Sequence, residues 1–234
     1  MEGAFLQGLF RTVGARFTHA LIRHGLRSQF RGIYLLEKTQ PPSNRSAILF
    51  ANHHYWWDVY LTYWLVCVHW GRSAIGWMEQ ARRFPPFGAV GALPFPSNDP
   101  LRRARVVRYT LERLRVHPSV LILFPEGRLH GGESLLPFER SLHWLAMRLP
   151  DTPLLPLAIH LVPKVHQYPC AYLMVGAPFH CDADEAEWLQ QARHSLESLL
   201  QTLRAKVATP EGTEEFECIL RGKLSAHERW CANG

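Results

Sequence analysis

The sequence predicts an α/β fold: a single-domain mixed β-sheet flanked by helices, preceded by a basic amphipathic helical segment. Three observations predict it. Short apolar runs at 47–51, 120–124 and 154–161 have the length of buried strands. Helical patterns lie between such runs, and strands alternating with helices pack as a sheet with helices against it. At 234 residues and 47% hydrophobic content, the chain can bury one sizeable core, with no repeat, low-complexity stretch or second domain.

Taken in order, residues 4–30 read as a helix. Phe5, Leu9, Val13, Phe17 and Leu21 recur every four residues, interleaved with Arg11, Arg16, Arg23, Arg27 and Arg31. This composition suits a helix lying in a lipid headgroup layer, apolar side in acyl chains and basic side toward phosphates. The alternative is a helix packed on the domain with its arginines in water. Residues 1–30 are therefore set apart as a membrane-associating segment, and 31–234 as the main folded domain.

A first strand is expected at 32–38, ended by the breakers Gln40-Pro41-Pro42-Ser43-Asn44. After the strand 47–51, a helix is expected over 58–69 with Val59, Trp64 and Leu65 inward, then a strand at 73–78. The glycines and prolines of 87–94 predict an irregular path. Asn98-Asp99-Pro100 is a helix start, with Pro in the first turn. The helix 101–116 carries six arginines, most simply a solvated face; Arg102 or Arg103 near its start could instead reach an anionic substrate group. Beyond strand 120–124, the pattern predicts a loop over 128–137, a short amphipathic helix over 138–149, and strands at 154–161 and 171–175. A long helix follows over 182–207, with acids in its first turn and bases in its last, matching the helix dipole. Trp188, Ala192, Leu196, Leu199 and Leu203 form its apolar face. A linker at 209–213 leads to a final helix ending near Trp230.

The net charge of +6 and pI near 9.3 point to an anionic partner. No nucleic-acid-binding signature is present, so a membrane lipid surface is expected rather than nucleic acid. Eight Trp and twelve Phe suit a surface with one wet and one greasy side. Five cysteines without CxxC spacing fit reduced thiols of a cytosolic protein. The thirteen histidines are scattered with no HExxH pair, so no metal is expected. Arginines interrupt the early apolar residues, which argues against a secretory signal, and the uncharged run 59–70 is shorter than the roughly twenty residues a membrane span needs. The expected location is cytoplasmic, peripheral on the inner face of a membrane.

The chemistry centres on 48–62. His53 stands just past a strand and five residues before Asp58. A neutral imidazole can take a proton from a hydroxyl, and a carboxylate beside it fixes the tautomer and stabilises the imidazolium. The alternative is a loop histidine bonded to backbone beside an Asp that caps a helix. Far downstream, Phe124-Pro125-Glu126-Gly127-Arg128 follows a second apolar strand. Gly127 permits close approach of a substrate to a turn that could present backbone N–H groups to a reacting carbonyl.

Together, Asn52-His53-x4-Asp58 and Phe124-Pro125-Glu126-Gly127 resemble the glycerolipid acyltransferase family, the 1-acylglycerol-3-phosphate and lysophospholipid acyltransferases. The resemblance covers roughly residues 30–180. It implies acyl transfer from acyl-CoA or acyl carrier protein to a lipid hydroxyl, without a cofactor. His53 and Asp58 would be catalytic; Asn52, Glu126, Gly127, Arg128, Arg102 and Arg103 would bind substrate. Glu126 has an alternative role as a carboxylate bonding nearby backbone amides. The acceptor implied is a lysophospholipid.

The pattern departs from the family in three places. Tyr55 stands where the first motif has Ser, and Leu129 where the glutamate motif has Arg. Aligned on Gly91, Ser97 stands where a third motif has Arg. Those arginines are the ones expected to grip an acceptor phosphate. A non-phosphate acceptor, such as a glycolipid or other lipid alcohol, is therefore an alternative. Two others are a hydrolase of acyl thioesters or lipids, with the same His-Asp pair activating water, and a non-catalytic lipid-binding protein resting on the basic helix and an apolar groove.

Overall fold

A computed structural model describes residues 2–83, 86–163 and 166–231, with only the backbone described over 2–13 and at 82, 86, 227, 229 and 231. Eight strands form one mixed sheet in the order β4-β3-β5-β2-β6-β7-β1-β8. The strands are β1 Gly32–Glu37, β2 Ala47–Ala51, β3 Ala74–Met78, β4 Ala92–Pro94, β5 Val120–Leu123, β6 Leu154–Val162, β7 Cys170–Val175 and β8 Glu217–Arg221. β2 lies parallel between β5 and β6, β5 parallel to β3 and β3 parallel to β4. β7 runs antiparallel to β6, and β8 antiparallel to β1. The parallel set β4-β3-β5-β2-β6 thus has all its carboxyl ends at one edge, where open α/β sheets place their ligands.

The alternation of β2 divides the core. Ile48 and Phe50 face one side; Ala47, Leu49 and Ala51 face the other, and all five are fully buried. The first side is covered by α4 (Pro100–Val116), α5 (Ser141–Ala146) and α6 (Glu185–Val207). Leu196, Leu200 and Leu203 of α6 are all but inaccessible, and each contributes about 1.5–3 kcal/mol by leaving water. Asp99 caps α4 and Asp184 caps α6, each accepting from a backbone N–H of the first turn.

The second side is covered by α1 (Glu2–Gln29) and α2 (Asp58–Trp64), the latter continued by a π-helical turn over Leu65–His69. The inward stripe of α1 is Thr18, Ile22 and Leu26, with Gly25 against the ring of Trp57. Phe17 and Leu21 point outward, 54% and 42% exposed. The four-residue stripe seen in the sequence is therefore not the packing face, because a period of four drifts around a 3.6-residue helix. Phe5, Leu9, Arg11 and Val13 of that stripe lie outside the described side chains. No described helix is long and apolar enough to cross a membrane.

Several expected elements differ in the structure. The region 87–94 holds the one-turn helix α3 (Pro86–Ala89) and strand β4 rather than irregular chain. Gly91 makes this possible: its φ is +95°, and a Cβ there would lie 1.9 Å from the Ala74 carbonyl oxygen. The expected helix over 138–149 is regular only over α5. Asp182 lies outside α6. The expected linker at 209–213 is the short helix α7 (Pro210–Glu214), followed by β8 before the last helix α8 (Ala226–Cys231). β8 covers the outer edge of β1, and its mixed polar pattern comes from having only one packed neighbour strand.

Candidate active site

β2 ends at the catalytic candidates because Asn52 stops it there. The Asn52 side chain donates from Nδ2 to the Ile159 carbonyl (3.0 Å) and accepts at Oδ1 from the Ile159 N–H (2.8 Å), bridging β2 to β6. It is fully buried and offers nothing to a substrate. The described contacts of the Asn52 amide are those of a clamp between β2 and β6, and the expected contact with substrate is not among them.

The chain then turns into α2, and this turn brings His53 back onto Asp58. His53 Nδ1 lies 3.2 Å from Asp58 Oδ2, which also accepts from the Tyr55 N–H at 2.9 Å. Asp58 is wholly buried. Burial pushes its carboxyl pKa up, while the His53 hydrogen bond and the Tyr55 N–H pull it down. The His53 ring stacks on Phe124 at 4.3 Å, joining the first motif to the second.

Glu126, at 4% exposure, is not among the residues that line the cavity described below. Oε1 accepts from the His53 N–H (2.8 Å); Oε2 accepts from the Leu136 N–H (2.8 Å) and from His130 Nε2 (2.5 Å). The His130 N–H in turn donates to the His53 carbonyl at 3.1 Å. The backbone of His53 is thus gripped on both sides. The described contacts of Glu126 are to protein donors, which is the alternative role read from the sequence. His130 escaped the sequence reading, although a histidine four residues after Glu126 is the signal that could have found it.

His54 diverges from His53 and is buried beside this pair, Nε2 4.0 Å from Glu126 Oε2; burial lowers its pKa to about 4. His54, Glu126 and His130 bring their ligand-type atoms within 4.8 Å of one another, the one described cluster that could hold a metal. The Gly132 N–H donates to His130 Nδ1 at 3.2 Å, however, so Nε2 carries the proton given to Glu126. In that tautomer the His130 ring clamps Glu126.

Beside His53 opens a cavity of about 450 Å³. Its inner wall is apolar, with Ile22 of α1, Tyr60 and Tyr63 of α2, Phe87 of α3 and Ile122 of β5. Its mouth is polar. Glu79 follows β3, Ser97 follows β4, Arg103 lies on α4, and Arg128 and Glu139 belong to the chain after β5. Ser97 donates to Glu79, and the Arg103 guanidinium lies 5.0 Å over the Phe95 ring, itself stacked on Trp77 at 4.5 Å. Gly127 lines the cavity with φ of +71°. Arg102 does not line it; only its backbone N–H is engaged, by Asp99. Of the arginines expected to meet substrate, the structure brings Arg103 and Arg128 to the cavity and leaves Arg102 aside, because successive helix positions face about 100° apart.

A sequence model described as Acyltransferase matches residues 32–160. Among solved structures, the crystal structure of the 1-acyl-sn-glycerophosphate (LPA) acyltransferase PlsC from Thermotoga maritima is similar in fold. Its TM-score is 0.57 at 18% sequence identity, over 85% of this chain and 80% of that one. A search of the curated proteins gave no match.

Proposed function

The chain belongs to the acyltransferase family, and from that premise we propose that it moves a fatty acyl group from acyl-CoA or acyl carrier protein to a hydroxyl of a lipid acceptor, a lysophospholipid or related lipid alcohol. The observation that carries the reading is the His53–Asp58 pair at a cavity that is apolar within and polar at its mouth. The inner wall accommodates the acyl chain, and the mouth holds the acceptor head.

In this mechanism His53 Nδ1–H donates to Asp58, leaving the Nε2 lone pair to take the acceptor hydroxyl proton. The oxygen attacks the thioester carbonyl carbon. The C–S bond then breaks, and the thiolate leaves with the proton from the imidazolium. Asp58 stabilises the imidazolium in between, and the turn 124–128 lies beside the developing oxyanion. Glu126 and His130 hold the His53 backbone in place. No covalent enzyme intermediate is needed. Outward-facing Phe17 and Leu21, with exposed Arg16, Arg23 and Arg27, support contact of α1 with the inner face of a membrane.

The test is incubation of the purified protein with a labelled acyl thioester and a total lipid extract. The expected result is label in a lipid ester, abolished by His53→Ala in protein that still melts cooperatively as a folded chain. Labelled free fatty acid as the sole product, whatever acceptor is added, would make the protein a hydrolase instead. Transfer surviving His53→Ala would remove that residue from the mechanism.

A further inference from the structure

Resting on the acyl-transfer reading, we infer that the acceptor carries a head rich in hydrogen-bond donors, hydroxyl or ammonium, and that Glu79 and Ser97 select it against a phosphomonoester. The argument is the charge layout of the cavity mouth. Two carboxylates, Glu79 and Glu139, face it together with two guanidiniums, Arg103 and Arg128. A head bearing two negative charges therefore meets no net positive field. Arg103 is drawn over the Phe95 ring, a position that suits stacking rather than a forked grip on phosphate.

Glu79 and Ser97 stand at the carboxyl ends of adjacent parallel strands, β3 and β4, so the fold places them side by side. Ser97 donates to the Glu79 carboxylate, which forms no ion pair among the described residues. A carboxylate with one hydroxyl donor retains lone pairs for further donors and repels an anion at the same place. Sugar hydroxyls and an ammonium group both supply such donors. Arg128, exposed on the second motif, could still meet the single charge of a phosphodiester, so a zwitterionic lysophospholipid fits as well as a glycolipid.

The experiment compares three acceptors with one acyl donor: 1-acylglycerol-3-phosphate, lysophosphatidylethanolamine and a monoacylated glycosyl glycerol. The expected kcat/KM is at least about tenfold higher for one or both of the last two, and which of them leads separates ammonium from sugar. Glu79→Gln is expected to lower kcat/KM for the preferred head by roughly tenfold, mainly through KM. Ser97→Arg is expected to raise use of the phosphomonoester by a similar factor, a gain that a damaged fold does not produce. Preference for 1-acylglycerol-3-phosphate by the natural chain, or equal loss on all three acceptors in Glu79→Gln, would overturn the inference while leaving acyl transfer standing. Release of free fatty acid with no transfer to any of the three would overturn both.

Discussion

Replacing Asp58 by Asn separates catalysis from stability most sharply. The imidazolium formed during transfer lies 3.2 Å from the Asp58 carboxylate. At an effective dielectric of about 20, a full charge pair at that distance is worth roughly 5 kcal/mol. Asn can still accept the Nδ1 hydrogen bond, so part of this is retained. The expected fall in kcat is between about 10² and 10⁴, each decade being about 1.4 kcal/mol. Stability moves differently. The Asp58 pKa is raised on folding, chiefly by burial, so its contribution to stability is complete below the ordinary 3.8 and declines as pH rises through the folded value. At neutral pH the charge costs stability, and Asn removes that cost. In exchange, with the amide oxygen in the place of Oδ2, the NH₂ takes the buried place of Oδ1, which has no hydrogen-bond partner among the described residues, a loss of about 1–3 kcal/mol. The two effects oppose, so the melt should shift by only a few degrees, at about 2–4 °C per kcal/mol for a chain of this size. Labelled acyl transfer under single-turnover conditions, beside a thermal melt of the same preparation, measures both. A variant within tenfold of the natural rate would refute the imidazolium–carboxylate mechanism.

Asn52→Ala leaves the N–H and C=O of Ile159 buried without their partners, and should lower stability by about 2–6 kcal/mol in urea titration, with KM of the folded fraction unchanged; a change below 0.5 kcal/mol, well under that of one lost hydrogen bond at about 1 kcal/mol, would contradict the clamp. Phe17→Ser with Leu21→Ser should cut co-sedimentation with anionic vesicles by about tenfold or more while the melt is unchanged, both side chains being exposed already; undiminished vesicle binding would count against membrane contact by α1. Arg31 donates to Glu228 at 2.6 Å, tying β1 to α8, and lowers the Glu228 pKa from 4.5 to about 2. The stability this pair supplies is present above pH 4.5 and lost as pH falls toward 2, so Glu228→Gln should flatten the acid limb of a pH–melting profile; an unchanged limb would show that the pair is not coupled to folding.

The central strands and both motifs were legible in the sequence because they rest on local physics. An unbroken apolar run such as 47–51 or 120–123 has no stable place except a sheet interior. Asp99-Pro100 announces a helix start through groups that bond within one turn, whereas the long helix is expected from 182 and begins at Glu185, capped by Asp184. His53 and Asp58 were readable for the same reason, since one short turn brings five residues back on themselves. What the tertiary structure alone decided lies in meetings across the chain. Asn52 and Glu126 read as substrate ligands, whereas the fold brings Ile159, more than a hundred residues from Asn52, and Leu136 against them as hydrogen-bond partners. β4 and β8 were hidden because a three-residue strand and a one-sided edge strand take their order from neighbours, not from their own pattern. Ser97 stands out only as a departure from a motif and Glu79 not at all: they meet because β3 and β4 are parallel neighbours with Gly91 letting the backbones close. Hydrogen bonds and apolar burial within a turn or a strand are encoded residue by residue, whereas the polarity of a cavity mouth is a sum over segments that only folding brings together.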